Sequence, residues 1–213
     1  MRKQSEKEIE IPINSIFLKG ILNIPKKAKS MVIFAHGAGS SRLSPRNAYV
    51  ARELNKAGIA TLLFDLLTEE EDMIYENRFN VPLLTTRLIA VTKWVKTNPK
   101  TKTLAIGYFG ASTGSAAALQ AVAEIKGIKA VVSRGGRPDL VLPYLPKVST
   151  PTLLIVGELD EPVIEMNKIA YERLKAEKEL VIVPGATHLF EEPGKLEKVA
   201  TLARKWFLRF LTS

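Results

Sequence analysis

Four stretches of this chain are apolar almost without interruption: Ser30 to Ala35, Ile59 to Phe64, Leu104 to Phe109 and Pro151 to Gly157. A strand with one wet face alternates apolar and polar residues, whereas short uniform runs fit strands covered on both faces. The segments between them carry helix signals. Ser44-Pro45 reads as an N-cap followed by proline at the first helical position, and Gly58 as a left-handed C-terminal cap. Asn80 opens a helix with Leu84, Leu88, Val91 and Val95 on one face, closed by Asn98-Pro99. Before all of these, residues 8–13 and 16–24 read as an antiparallel pair turning at Asn14-Ser15. Further strands are expected at 129–133 and 180–183, with helices from Ser115 to Gly127, over 162–175 and over 194–211. The last helix carries the stripe Leu196, Val199, Ala203, Trp206 and Phe210, read as packing on a sheet. Residues 66–80 read as a polar, acidic loop. The expected fold is α/β: a mostly parallel, eight-stranded, doubly wound sheet with helices on both faces.

In such sheets the chemistry gathers at the carboxyl ends of the strands. The Leu104 run leads into Gly110-Ala111-Ser112-Thr113-Gly114, a G-x-S-x-G pattern, and then into the small residues Ser115 to Ala118. A serine on a sharp strand-to-helix turn projects its hydroxyl outward, and the flanking glycines remove the Cβ atoms that would clash there. The pattern arises by chance in about one chain in twenty of this length at ordinary Gly and Ser frequencies, so its context decides. The other strand ends supply it: His36-Gly37-Ala38-Gly39, Asp65, Ser133-Arg134-Gly135-Gly136-Arg137, Gly157-Glu158-Leu159-Asp160, and Gly185-Ala186-Thr187-His188. A serine, an acid and a histidine thus follow separate strands in the order Ser112, Asp160, His188.

On these motifs, which run nearly the length of the chain, the sequence resembles the α/β-hydrolase superfamily. Within it, the chain is similar to a serine-type, cap-poor branch of the dienelactone hydrolase family. The resemblance implies the α/β-hydrolase fold and acyl transfer from an ester, thioester or lactone. One departure matters: the namesake enzymes carry a cysteine where this chain has Ser112, so their substrate does not carry over. In similar chains the domain is sometimes fused to a phosphoribosyltransferase, which brings phosphate-bearing or nucleotide-related ligands into consideration.

The roles then distribute themselves. Ser112 is the expected nucleophile and His188 the base that takes its proton. Asp160 is expected to fix the imidazole tautomer, with capping of the helix after Glu161-Pro162 as the competing role. Glu158 and Asp139 are the fallback acids. The oxyanion hole is expected from the amides of Thr113 and Ala38, with Gly37 and Gly39 letting the loop turn inward. His36 is read as ordering that loop. Arg134 and Arg137 are either a clamp for an anionic group on the substrate or partners of Asp139 and the 69–72 acids. Asp65 and Arg78 border the pocket. The short connection from Arg134 to Thr150 leaves no room for a helical cap, so the pocket is expected to be shallow, covered at most by residues 66–80.

Composition narrows the alternatives. The 213 residues fit one domain, 1–213, with a full hydrophobic core. The chain has no Cys, which excludes disulfides and thiolate chemistry, and two His, too few for a His-rich metal site. No metal or organic cofactor is implied. The N-terminus is charged, without a signal-peptide core, and no apolar run reaches the roughly 20 residues of a membrane span. A cytoplasmic location follows as the expectation. The net charge of +9 is scattered among acids, so it reads as solvated surface and no nucleic-acid partner is expected. A small-molecule substrate, of anionic type if the arginines face it, is the expected ligand. The competing reading is a non-catalytic ligand-binding or interaction module on the same fold.

Overall fold

The structure, a computed structural model, describes residues 7–211. Residues 1–6, which carry most of the charged N-terminal run, lie outside the described residues. Eight strands form one sheet: β1 (Lys7–Ile13), β2 (Ile16–Asn23), β3 (Ser30–Ala35), β4 (Ala60–Phe64), β5 (Ala105–Ala111), β6 (Ile128–Arg134), β7 (Thr152–Gly157) and β8 (Lys178–Val183). Their order is β1-β2-β4-β3-β5-β6-β7-β8. β2 pairs antiparallel with both β1 and β4, and every other pairing is parallel. This is the expected α/β-hydrolase sheet, with the antiparallel pair at one edge.

Strand parity explains the two-sided core. In β3, Met31, Ile33 and Ala35 face α3 (Val81–Thr97) and α4 (Thr113–Glu124), while Val32 and Phe34 face α1 (Pro45–Lys56) and α6 (Lys195–Leu211). All six residues of β3 and all six of β7 are buried, as uniform apolar runs require. β8 closes the sheet as an edge strand and is mostly half-buried. The helix signals hold in detail. Ser44 Oγ accepts the Asn47 amide with Pro45 at the first helical position, and Gly58 takes φ 82°. The 194–211 stripe buries Val199, Ala203 and Trp206, as expected for a helix packed on the sheet.

Two expectations need correction. Residues 66–80 are not loop throughout: they contain α2 (Glu69–Asp72) and a 3-10 turn over Tyr75–Phe79. Thr68 and Glu71 form a reciprocal capping box, with Thr68 Oγ1 accepting the Glu71 amide and Glu71 accepting the Thr68 amide. The S/T-x-x-E signature was present in the sequence, but α2 buries no residue and so leaves no apolar period. The helix expected to reach Gly127 ends at Glu124, with Gly127 in the following turn at φ 89°. α5 (Glu161–Arg173) lies between β7 and β8. After β6, the chain makes two short 3-10 turns, Pro138–Val141 and Leu145–Lys147, and inserts no helical cap. Among the described residues, no helix is long and apolar enough to cross a membrane.

Candidate active site

Ser112 sits between the end of β5 and the start of α4 with φ 50° and ψ −122°. This left-handed backbone is strained for a residue with a Cβ, and strain of this kind costs on the order of 1–3 kcal/mol unless the surroundings impose it. They do. The Ser112 amide donates to the Arg134 carbonyl of β6, and its carbonyl accepts from the amides of Ser115 and Arg137. The flanking glycines are fixed by close approach. A Cβ on Gly110 would lie 2.4 Å from Ser115 Cα, and one on Gly114 would lie 2.2 Å from the Ala35 carbonyl oxygen. The sequence spacing G-x-S-x-G is therefore the packing of α4 against the ends of β3 and β5.

His188 lies in the loop after β8. Its Nδ1 meets Asp160 Oδ2 at 2.5 Å. A carboxylate can only accept, so the ring proton sits on Nδ1 and the lone pair on Nε2. Asp160 occupies the N-cap position of α5, yet its side chain makes no capping bond. The competing capping role is thus empty, and the carboxylate serves the histidine. The fallback acids are engaged elsewhere: Glu158 accepts the Gly185 amide at 2.7 Å, and Asp139 takes a two-pronged contact from Arg137. The imidazole lies over Gly135, where a Cβ would come within 3.3 Å of His188 Cε1. Gly135 directly follows Arg134, whose carbonyl anchors Ser112, so His188 and Ser112 share one strand end.

The loop after β3 is pinned on both sides. His36, buried, accepts the Leu66 amide on Nε2 at 3.0 Å and so carries its proton on Nδ1, which donates to the Gly37 carbonyl at 2.9 Å. Burial holds its pKa below the ordinary histidine value, consistent with this neutral ordering role. Arg42 grips Asp65 through its amide and its guanidinium, each at 2.6 Å. Gly37 passes so close to Ser112 that a Cβ there would sit 3.0 Å from Ser112 Cβ; Gly39 turns at φ 69°. The Thr113 amide lies at the first position of α4, where no intrahelical acceptor exists. The Ala38 amide is not free: it donates to Thr113 Oγ1 at 2.9 Å.

The arginine pair departs from a clamp. Arg134 is buried at 5% exposure, with Nη2 3.4 Å from Asn47 Oδ1 and its guanidinium over the Phe190 ring. Burial, together with the nearby Arg46, pushes its pKa down to about 10. Ser133 points to Ser115 of α4, so strand alternation sends Arg134 to the α1 face. Arg137 is held by Asp139 at 2.8 and 2.9 Å, the ion-pair alternative. Arg78 is likewise forked onto Asp72. A cleft of about 250 Å³ opens beside α2, lined by Ser40, Ser41, Arg42, Asp65, Thr68 and Asp72. Asp65 therefore borders a cleft, although Ser112 and His188 do not line it. Among the described residues, no group of three His, Asp or Glu is arranged to hold a metal ion.

A mostly parallel sheet with a strained serine elbow after a central strand and an acid-histidine pair after its last two defines an α/β-hydrolase architecture. Residues 28–205 match the family model of the alpha/beta hydrolase domain, and the chain belongs to that family, in its dienelactone hydrolase-like group. It is 54% identical to a crystal structure titled dienelactone hydrolase from Anabaena variabilis, with a TM-score of 0.94 over 97% of this chain and 98% of that one. It is 52% identical over 97% of its length to a Mycobacterium tuberculosis protein named "Putative phosphoribosyl transferase Rv0571c". The chain spans 47% of that relative, about half its length. Est1E from Butyrivibrio proteoclasticus shares the fold, with a TM-score of 0.84 at 21% identity over 98% of this chain and 100% of that one.

Proposed function

We propose that this chain is a serine hydrolase that cleaves a small ester, thioester or lactone through an acyl-enzyme. The observation that carries the reading is the 2.5 Å contact of His188 Nδ1 with Asp160, which leaves Nε2 unprotonated as the base, on a ring packed against Gly135, the residue after the Arg134 carbonyl that holds the strained Ser112. A serine hydroxyl is a poor nucleophile at neutral pH, so its proton must leave as it attacks. Ser112 Oγ forms a bond to the acyl carbon while Nε2 takes its proton, and the carbonyl electrons move onto oxygen. The Thr113 amide, at the positive end of α4, meets that oxyanion. Collapse breaks the bond to the leaving group, which receives the proton from Nε2. Water repeats the sequence on the acyl-enzyme and restores Ser112. Asp160 stabilises the imidazolium in both halves.

The absence of a cap insertion supports small substrates. The name of the Anabaena protein supports ester or lactone cleavage over amide cleavage. We attribute the transferase name of the mycobacterial relative to the part of that longer protein that this chain does not match. The test is intact mass after exposure to a fluorophosphonate, on wild type and Ser112→Ala. One adduct on the wild type alone is expected. A folded wild type without an adduct would overturn the reading and favour a non-catalytic binding module.

A further inference from the structure

Ala38 is the expected second donor of the oxyanion hole, yet its single proton is already spent on Thr113 Oγ1. Both groups are held in place. The Ala38 loop is tied to β4 and its exit by His36–Leu66 on one side and Arg42–Asp65 on the other. Thr113 is only 2% exposed, at the first position of α4. The Thr113 hydroxyl therefore accepts one hydrogen bond, and among the described residues nothing accepts its own proton. A buried hydroxyl proton without an acceptor is costly and calls for an explanation.

We propose that the Thr113 hydroxyl is a catalytic residue of this enzyme, donating to the oxyanion in place of the Ala38 amide. The inference rests on the serine-hydrolase reading above. In the free enzyme the chain of donors runs Ala38 N–H to Thr113 Oγ1 and stops. When Ser112 attacks, the carbonyl oxygen gains a negative charge next to the Thr113 amide, and the Thr113 O–H completes the chain to it. No proton changes owner in this step. Accepting the Ala38 bond polarises the hydroxyl and makes it a stronger donor. The negative charge it meets exists only once the oxyanion forms, so the interaction is stronger in the transition state than with the bound substrate. The amide and the hydroxyl of one residue then supply both donors, and Ala38 acts through Thr113.

The test compares wild type with Thr113→Val, which keeps the shape and loses the hydroxyl, and with Thr113→Ser, which keeps the hydroxyl. The measurements are hydrolysis of p-nitrophenyl acetate, affinity for an aryl trifluoromethyl ketone that forms a tetrahedral adduct, and thermal unfolding. For Thr113→Val, whose methyl takes the place of the hydroxyl and still covers the Ala38 amide, a fall in kcat of about 10²–10³-fold is expected, the size of one lost oxyanion donor. KM should change by less than about threefold, and ketone affinity should fall in step with kcat. Thr113→Ser should stay within about tenfold of wild type. A folded Thr113→Val with kcat within about twofold of wild type, or above it, would overturn the proposal; a gain would make the hydroxyl a plug on Ala38. If Thr113→Val does not fold, Thr113→Ala carries the test: an approximately tenfold fall supports the proposal, because Ala38 is then freed to donate directly, and no fall overturns it. An inactive, unlabelled wild type would instead remove the serine-hydrolase reading itself.

Discussion

The two halves of the candidate site are built by different means. The Ser112 half lies mid-sheet, where β3 and β5 are neighbours, and backbone holds it: Ser112 through three main-chain hydrogen bonds, and α4 by its near contact with the Ala35 carbonyl. The Asp160–His188 half lies towards the edge, on the loops after β7 and β8, and side chains hold it. Glu158 braces the Gly185 amide, Glu192 takes both the amide and the hydroxyl of Thr187, and Asp160 takes His188. The exposure differs accordingly: the His188 side chain is 37% exposed, whereas Thr113 is 2% exposed. A half made of backbone cannot be altered without altering the fold, while a half made of side chains can lose its chemistry and leave the fold standing. In this molecule, activity and stability should therefore separate along the line from the centre of the sheet to its edge.

The edge half should show the largest effect on activity and the smallest on stability. His188→Ala is expected to lower kcat by about 10⁶-fold and Asp160→Asn by about 10⁴-fold, in line with triads whose members act as a unit. Neither change opens a deep cavity, so both variants should unfold within about 0.5 kcal/mol of wild type in urea. The pair of measurements, steady-state hydrolysis and urea unfolding, breaks the comparison if either variant loses several kcal/mol. It also breaks if Asp160→Asn keeps more than about a tenth of the wild-type kcat, since Asp160 would then not set the tautomer.

The central half should respond in the opposite sense. Gly114→Ala places a methyl 2.2 Å from the Ala35 carbonyl oxygen and 2.3 Å from that of His36, both backbone atoms that cannot swing away. The expected cost is about 3 kcal/mol or more, read as a lower urea midpoint, because overpacking here must move a strand end or a helix. Activity should fall with the displaced elbow. A Gly114→Ala variant of wild-type stability would show that the centre is softer than its contacts imply.

How much of this was legible beforehand follows the same division. Strands buried on both faces announce themselves as uniform apolar runs, so β3, β4, β5 and β7 could be placed within a residue or two. β8, an edge strand, opens on the charged Lys178 and Glu179, so it begins two residues before its apolar part and was only half visible. α2 hid because four consecutive acids bury nothing. At the site, each strand end was readable because chemistry follows a recognisable strand. Contacts between loops were not: Ala38 and Thr113 are 75 positions apart, and only the packed fold shows that one amide is taken by the other's hydroxyl. The arginines lay between these cases. Parity along β6 carried the answer for Arg134, since Ser133 and Arg134 must point to opposite faces.

That parity leads to the smallest expected effect. Were Arg134 and Arg137 a clamp, removing them would weaken binding of an anionic ester and spare a neutral one. Arg134 instead packs on Phe190 beside Asn47, and Arg137 already holds a carboxylate. The double variant Arg134→Met, Arg137→Gln should therefore leave the ratio of KM for an anionic to a neutral ester unchanged within about twofold. Replacing a buried guanidinium that lacks a carboxylate partner by an apolar chain of similar length should also leave urea stability unchanged or raise it. A tenfold rise in KM confined to the anionic ester would restore the clamp. It would also mean that the β6 end takes part in substrate binding, which would extend the backbone-held half beyond Ser112 and Thr113.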